Sequence, residues 1–294
     1  MPRTAPRVAS RAACCIFPAL NLLDSLSTLR PIALSEIAGA ALLDRLDQKL
    51  IISEQWLPEI LGYCRDLGEE EGGGYRILEV NDQRLARYEN LFFDAPGFDA
   101  FNDHVRGRKI RHKARIRSYG SNGQTFLEIK RKTVHGRTVK DRLQRVEAGL
   151  WNAPMSEVER EFLAHHFPYA QVARPVLQSH FYRFTLVHPG RGERITFDTG
   201  LSFRLPDGIP AHLPGAKESP RELPGVVVLE IKQARIDRQS PIYRVIERYL
   251  GAHPPLGRPT RLSKYILGVG LVYPQLPLRT YLPVFRDIQR SLNP

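Results

Sequence analysis

Cysteine is scarce in this sequence: the 294 residues include three, with Cys14 and Cys15 adjacent and Cys64 alone. Disulfide frameworks and zinc sites both need cysteines in spaced groups, so neither is indicated. Free thiols are the rule in reducing compartments. The sequence therefore predicts a cytoplasmic protein, with peripheral attachment to the inner membrane as the alternative.

Long hydrophobic runs are also missing. The uncharged stretch near the N-terminus, residues 12–23, has twelve residues, whereas a membrane helix needs about 20. It follows three arginines, as a secretion signal would, but Pro18 and Asn21 interrupt it and no cleavage site is evident. We expect residues 1–40 to be a disordered extension, a targeting signal being the alternative, and residues 41–294 to form one domain that includes the C-terminal helices.

Acidic residues are outnumbered, and the common catalytic motifs are absent. Lys and Arg total 43 against 31 Asp and Glu, which gives a net charge of +12. Such an excess predicts an anionic partner: nucleic acid, an anionic membrane surface or a polyphosphorylated small molecule. The sequence has no Walker A, GxGxxG, GxSxG or HExxH motif. It also lacks an aromatic RNP signature, so nucleic acid is not expected to be the partner.

One tetrapeptide, Leu-Glu-Ile-Lys, occurs twice, at Leu127–Lys130 and at Leu229–Lys232. Both copies lie in stretches that alternate apolar and charged residues, as a strand with one buried face does. Each copy therefore places an acid and a base on the same face, two residues apart. This arrangement suits a metal ion held beside a phosphate chain, but it equally suits a solvated sheet face.

Four further segments share this alternation, so six predicted strands have a charged face opposite an apolar one. The further segments are residues 45–50, 113–117, 139–143 and 194–198. An open antiparallel sheet with one wet face would explain any one of them. Six together concentrate cations that repel by about 1 kcal/mol per pair at 4 Å even in water, unless acids or a bound anion intervene. Closing the sheet into a barrel would place the charged face in a tunnel and the apolar face against outer helices.

Local signals complete the predicted α+β fold. The turn at 120–123 joins strands 113–119 and 125–133 as a hairpin. Ser156 and Glu159 form a capping box that opens a helix, and Ser240 followed by proline opens another. Residues 205–225 are rich in proline and glycine and are predicted to be a loop.

Five segments, taken in order, resemble the VTC domain, the polyphosphate polymerase domain of the vacuolar transporter chaperone complex. They are Asn90–Asp94, Lys113–Gly120, Phe126–Thr133, Val228–Lys232 and Arg261–Gly268. The VTC domain is similar to the triphosphate tunnel metalloenzymes of the CYTH-like superfamily. The resemblance thus implies an antiparallel eight-stranded β-barrel, a triphosphate tunnel, with flanking helices.

The activity implied by this resemblance is metal-dependent transfer of the ATP γ-phosphoryl group to a growing polyphosphate chain. Mn²⁺ or Mg²⁺ would be the cofactor, ATP and polyphosphate the ligands, and a separate membrane protein a further candidate partner. A triphosphatase of the same fold and a non-catalytic module that binds polyphosphate or another anionic polymer are the alternatives.

The resemblance also implies roles for individual residues. Glu230 would bind the metal, and Glu128 would balance charge. Catalytic contacts with phosphate would come from Arg115, Arg117, Lys130, Lys132, Arg183, Arg194 and Lys264, with the choice between Lys130 and Lys132 open. Further substrate contacts would come from Lys49, Lys140, Arg142, Arg261 and Ser263, with the choice between Lys140 and Arg142 also open.

Three positions depart from the family pattern. Phe181 stands where a tyrosine is usual, with Tyr182 adjacent, which puts one phosphate-contacting hydroxyl in doubt. Arg261 replaces a lysine, and the first strand begins Arg45-x-Asp47 where two acids are common. The last two departures leave the charge pattern of the tunnel intact.

Overall fold

Eleven strands form one sheet, of which eight follow a continuous antiparallel path in the order β2-β11-β9-β8-β4-β5-β6-β7. The structure, a computed structural model, describes residues 19–37, 46–67, 74–146, 153–252 and 262–292. The strands are Pro31–Ala33 (β1), Leu46–Ser53 (β2), Arg76–Glu79 (β3), Ala86–Asp94 (β4), Arg111–Tyr119 (β5), Thr125–Lys132 (β6), Thr138–Gln144 (β7), Arg174–His188 (β8), Glu193–Arg204 (β9), Arg221–Leu223 (β10) and Val226–Gln233 (β11). The helices are Ala19–Ser27 (α1), Leu34–Ile37 (α2), Leu57–Asp66 (α3), Asp99–Val105 (α4), Glu157–His166 (α5), Pro241–Ala252 (α6), Lys264–Val272 (α7) and Leu282–Leu292 (α8).

The eight-stranded path curls into a tunnel-like barrel, which confirms the predicted fold class. Within the described residues, its two ends, β2 and β7, share no hydrogen-bonded ladder. Side chains from strands far apart along the path nevertheless meet on the inner face. The charge of Lys49 on β2 acts on Lys113 of β5, and that of Glu230 on β11 acts on Lys130 of β6.

The outer face of the barrel is apolar and covered by helices, as the alternation predicts. On one side, Leu50, Phe184 and Leu229 pack in one core with residues of α3 and α6. On the other side, Ile116 and Leu127 pack in a second core to which α4 and α5 contribute. Because these helices exclude water from the outer face, the charged residues of the same strands are directed into the lumen.

Part of the inner face is apolar as well, which the charged-face pattern did not predict. Ile51, Phe92 and Val228 each lie two residues from an inner-face polar residue and therefore on the same face of their strands. They join a core that contains Tyr265 and Ile266 of α7. Helix α7 therefore fills part of the barrel interior. The space available to an anion is the charged part that remains.

Gly268 lets α7 pack this closely. A Cβ at this position would lie 2.4 Å from Phe203 Cδ1 and 2.6 Å from Leu177 Cδ2, both in the core. We expect Gly268→Ala to lower the free energy of unfolding by about 1–3 kcal/mol, because overpacking displaces neighbours that cannot relax freely. Denaturant unfolding would measure the change.

Gly62 offers the matched control for that substitution. It lies in α3, and a Cβ there would meet only Arg65 Nη2, at 4.0 Å. Gly62→Ala should stabilise the protein by roughly 0.5–1 kcal/mol, since alanine loses less backbone entropy in a helix. Equal effects of the two substitutions would contradict the packing argument.

The N-terminal segment corrects one expectation. Within the predicted disordered extension, residues 19–37 form α1, β1 and α2, and β1 pairs in parallel with β3. Leu26, Leu29 and Ile32 are buried, and Arg84 Nη1 donates to the carbonyl of Leu26 at 2.8 Å near the end of α1. Burial of three aliphatic side chains offsets the entropy of ordering this segment. Residues 1–18 and 38–40 lie outside the described residues.

Most local predictions are confirmed. The hairpin of β5 and β6 forms, the Ser156 capping box is present at the start of α5, and α6 follows Ser240. One local prediction differs from the structure: the predicted loop 205–225 contains β10.

Candidate active site

The lumen is lined by rows of charged side chains that face one another across neighbouring strands. Lys113, Lys130 and Lys140 are register partners on β5, β6 and β7, and Arg115, Glu128 and Arg142 form the adjacent row. Like charges directly opposite one another destabilise a sheet. These rows therefore need negative charge from elsewhere in the lumen or from a ligand.

Glu128 supplies part of that negative charge. Its buried carboxylate accepts from Arg115 Nε at 2.9 Å and Nη2 at 2.6 Å, from the ammonium of Lys140, and from the Tyr119 hydroxyl at 3.1 Å. Burial would raise the pKa of Glu128, but Arg115, Arg117 and Lys140 hold that pKa well below its usual range. Glu128 is thus ionised and fully engaged, which agrees with its predicted charge-balancing role.

Asp198, on β9, also balances positive charge in the lumen. It accepts from Arg183 Nε at 2.5 Å and Nη2 at 2.7 Å, and from the ammonium of Lys264. Despite burial, Arg183 and Lys264 lower the pKa of Asp198 to about 2. The start of α7 is thereby tied to the wall of the lumen by an ion pair.

Glu230 is the third lumen acid, and its partners lie farther away. Its carboxylate lies 3.1 Å from Lys232 Nζ and 4.0 Å from Lys49 Nζ. Burial raises the pKa of Glu230, but Lys232, Lys49 and Arg183 hold that pKa well below its usual range. Glu230 therefore presents an ionised carboxylate with oxygen lone pairs that its long ion pairs leave available.

A hard divalent cation fits the surroundings of Glu230. The register partner of Glu230 on β9 is Thr196, and the Thr196 hydroxyl is buried without a hydrogen-bond partner in the described part of the chain. Carboxylate and hydroxyl oxygens are donors of the type that Mg²⁺ accepts, and Mg²⁺ commonly completes its shell with substrate phosphates and water. No cluster of three or more His, Cys, Asp or Glu side chains suited to a metal occurs among the described residues. A site here would therefore need the phosphates of a substrate.

Two lysines of the lumen are surrounded mainly by other cations. Burial, Lys49 and Arg115 hold the pKa of Lys113 well below its ordinary value. The pKa of Lys130 is also held well below its ordinary value, by desolvation and by the charges of Arg115 and Arg117. Both lysines would become more basic beside an anion, so their environment favours binding of negative charge.

Arg117 differs from Arg115, its neighbour two residues earlier on the same strand. Its Nε donates to Asn90 Oδ1 at 2.8 Å, and its guanidinium carbon lies 5.4 Å and 5.8 Å from the ring centroids of Tyr88 and Tyr119. Among the residues that the structure describes, no carboxylate lies within ion-pair distance of Arg117. Burial and Arg115 lower the pKa of Arg117, but a guanidinium remains charged across the pH range of proteins.

Most of the predicted site residues meet in this lumen. Residues brought together on its wall are Lys49, Arg115, Arg117, Lys130, Lys132, Lys140, Arg142, Arg183, Arg194, Glu230 and Lys264. Lys130 lies close enough to Glu230, Arg115 and Arg117 for their charges to act on it. Ser263 occupies the N-cap position of α7, and its side chain makes no capping bond. Arg261 lies outside the described residues.

Sequence reasoning assigned no individual role to several residues of the site. Lys113, Lys232 and Asp198 were within the recognised charged faces, and their strand alternation was the signal that could have selected them. Tyr88 and Asn90 had no such signal, because their partners are on other strands. Tyr88 stacks on Phe181 at 5.3 Å between ring centroids. Burial raises the pKa of Tyr88, and the charges of Arg183 and Arg117 oppose that shift. A phenol on β4 thus lies beside the position where the family tyrosine is replaced.

The fold and its lumen define a class: tunnel-type β-barrel proteins with a strongly cationic interior. Residues 45–273 match the family profile of the VTC domain, and the chain belongs to this family. No curated protein matches the sequence.

Three solved structures are similar at low identity. A proposed adenylate cyclase from Vibrio parahaemolyticus shares 13% identity over 76% of this chain and 97% of that chain, with a TM-score of 0.40. A second proposed adenylate cyclase, from Bacillus halodurans, shares 11% identity over 75% of this chain and 97% of that chain, with a TM-score of 0.43. A proposed adenylyl cyclase from Hippeastrum, with a dominant triphosphatase activity, shares 14% identity over 80% of this chain and 98% of that chain, with a TM-score of 0.39. Across the described residues, no helix is both long enough and apolar enough to cross a membrane.

The pKa values of two lumen lysines predict how anion binding depends on pH. Burial lowers the pKa of Lys264 and of Lys232 to about 8, with partial compensation from Asp198 and Glu230 respectively. Both lose their charge as pH rises through about 8, so affinity for polyphosphate should fall between pH 7 and pH 9.5. Binding at pH 8 should take up protons, because a bound anion raises both pKa values.

Calorimetry in buffers of different ionisation heat, with EDTA present, would measure this proton uptake. Long-chain polyphosphate is the suitable ligand, because its internal phosphates keep their charge over this range. The stability of the free protein should show the opposite sign: the lowered lysine pKa values make the unfolded chain hold more protons between about pH 8 and 10.5, so these groups add stability as pH rises through that window. An affinity that stays constant from pH 7 to 9.5 would contradict the assignment of these lysines to the anion site.

Proposed function

We propose that the protein is a polyphosphate polymerase, which transfers the γ-phosphoryl group of ATP to the end of a polyphosphate chain in the lumen. Membership of the VTC domain family and the tunnel-like barrel support a polyphosphate-related role. The observation that supports polymerase activity in particular is the pairing of the lumen acids with cations. Glu128 and Asp198 are fully engaged by cations, and Glu230 is ionised beside two lysines.

The lumen residues supply positioning and charge neutralisation. Arg115, Arg117 and Arg183 would bind phosphate oxygens, a task suited to the planar guanidinium fork. Lys130 and Lys264 would neutralise the charge on the transferring phosphoryl group. Positioning and electrostatics provide most of the catalysis in phosphoryl transfer.

The pairing of Glu128, Asp198 and Glu230 with cations fits an acceptor that is already ionised. The terminal oxygen of a polyphosphate chain carries its own negative charge, so no residue needs to remove a proton from it. A water acceptor, as in a triphosphatase, would gain from a carboxylate free to accept its proton. The buried acids Glu128, Asp198 and Glu230 are each paired with cations instead.

Glu230 and Thr196 would hold a divalent cation together with the phosphates of the substrate. When bound, Mn²⁺ or Mg²⁺ would act as a Lewis acid on phosphate oxygens. The surrounding lysines, Lys49 and Lys232, would bind oxygens that the cation leaves free and keep Glu230 ionised.

Incubation of the purified protein with ATP and Mn²⁺, followed by gel electrophoresis of the products, tests the proposal. Polyphosphate chains that lengthen with time, together with ADP, are the expected result. Release of orthophosphate from tripolyphosphate without chain growth would replace the proposal with the triphosphatase alternative. Tight, salt-sensitive binding of polyphosphate without turnover in either metal would replace it with a binding module.

A further inference from the structure

The two arginines of β5 that face the lumen differ in how their charge is balanced. Arg115 makes two hydrogen bonds to the buried carboxylate of Glu128. Arg117 is 8% exposed, and its side chain donates a hydrogen bond to a neutral amide, that of Asn90. Arg117 therefore keeps its full positive charge in a place where burying such a charge is costly.

Asn90 is itself fixed in one orientation. Its Nδ2 donates to Ser179 Oγ at 3.1 Å, and both residues are 1% exposed. Because the amide nitrogen is committed to Ser179 on β8, the amide oxygen is directed at Arg117 on β5. The three side chains form a relay across three adjacent strands.

The rings of Tyr88 and Tyr119 complete the enclosure of Arg117. Each lies within 6 Å of the guanidinium carbon, the range in which an aromatic face attracts a cation. Neither ring nor amide neutralises the charge, so together they hold the side chain in place without using up its attraction for an anion.

We propose that Asn90 is a positioning residue, which aims the guanidinium of Arg117, held by a neutral amide, at a phosphate of the bound chain. The proposal rests on the proposed function in taking a phosphate chain as the ligand. A carboxylate at position 90 would hold Arg117 equally well but would cancel its charge. The requirement at this position is therefore a neutral acceptor, which the amide of asparagine satisfies.

Asn90→Asp tests this requirement with no change of shape. One carboxylate oxygen would accept from Arg117, and the other would accept from the Ser179 hydroxyl, which can reverse its role. We expect the thermal midpoint to be unchanged or higher, and the affinity for tripolyphosphate in EDTA to fall roughly 10- to 100-fold, the loss of one hydrogen-bonded charge contact. If Asn90 had a purely structural role, the Asn90→Asp protein would not lose affinity for tripolyphosphate while keeping its stability.

Two controls separate this effect from a general change of charge. Asn122→Asp adds the same charge on an exposed turn and should leave tripolyphosphate affinity within about twofold, as expected for a screened surface charge. In an Arg117→Gln background, Asn90→Asp should cause no further loss of affinity, because Asn90 acts through Arg117.

Ser179→Ala provides a second variant in case Asn90→Asp folds poorly. It frees the Asn90 amide to rotate and should weaken tripolyphosphate binding several-fold in the wild-type background but not beside Arg117→Gln. Binding by Asn90→Asp, or by Ser179→Ala if the first variant does not fold, that equals wild type would overturn this proposal alone. Wild-type protein that fails to bind tripolyphosphate would overturn the proposed function and this proposal with it.

Discussion

Glu230→Gln should abolish metal-dependent turnover while the protein continues to bind polyphosphate. The substitution keeps the shape of the side chain but removes the ionised carboxylate, which is the acidic group placed beside the unpartnered Thr196 hydroxyl. Loss of a charged ligand from a one-carboxylate site should cost roughly 100-fold or more in turnover. Binding should remain, because the cations of the lumen are unaffected and one opposing charge has been removed.

The repeated tetrapeptide supplies the matched control, Glu128→Gln. Glu128 bridges Arg115 and Lys140, so its loss should lower the thermal midpoint but leave the dependence of activity on Mn²⁺ concentration unchanged. Initial rates over a Mn²⁺ titration, with affinity for polyphosphate measured separately in EDTA, distinguish the two variants. Full activity of Glu230→Gln with metal, or the same change in metal dependence in both variants, would show that Glu230 is not the metal ligand.

Asp198→Asn should give the largest loss of stability among substitutions of the lumen. Asp198 is fully buried and bonded to both Arg183 and Lys264. Its removal leaves two buried cations without their partner, which typically costs about 3–5 kcal/mol. For a chain of this size the thermal midpoint should fall by roughly 10 °C. Tripolyphosphate should raise the midpoint of the variant more than that of the wild type, since the anion replaces the missing charge.

Asp207→Asn is the control for that substitution. Asp207 pairs with Arg204 at 3.0 Å, but its side chain is 55% exposed. Exposed pairs contribute about 0–1 kcal/mol, so the midpoint should scarcely move, and tripolyphosphate should have the same effect as in wild type. If Asp198→Asn and Asp207→Asn unfold at the same temperature, the buried triad does not hold α7 to the barrel wall.

The parts of the fold that the sequence predicts are those governed by local periodicity. The second tetrapeptide, Leu229–Lys232, lies in strand β11 because its apolar residues alternate with charged ones, and the α5 capping box depends on two residues three apart. The apolar part of the lumen was missed, because Phe92 and Val228 fit the alternation equally well whether their face meets water or α7. Only the tertiary packing of a helix some 40–170 residues away along the chain decides between these environments.

The site shows the same division. The basic residues of the lumen were predicted through strand alternation and family resemblance, but their unequal states were not. Whether an arginine is neutralised depends on its cross-strand partner: Glu128 for Arg115 and Asn90 for Arg117. Those partners are determined by the register of β5 with β6 and with β4, and the alternation within each strand does not specify which residues of two strands face each other.

Glu128, Asp198 and Glu230 are each paired with two cations, and this arrangement has a consequence for the ligand that the lumen would select. An incoming anion must compete with carboxylates that are attached to the same wall and never diffuse away. A lone orthophosphate competes at one position and loses its own freedom of motion in full. A polyphosphate chain competes at several positions but loses its overall freedom of motion only once, because each contact after the first is intramolecular. On the proposed function, the lumen would exchange its internal ion pairs for contacts with a polyanion, and we expect it to select its ligand by chain length rather than by the presence of phosphate.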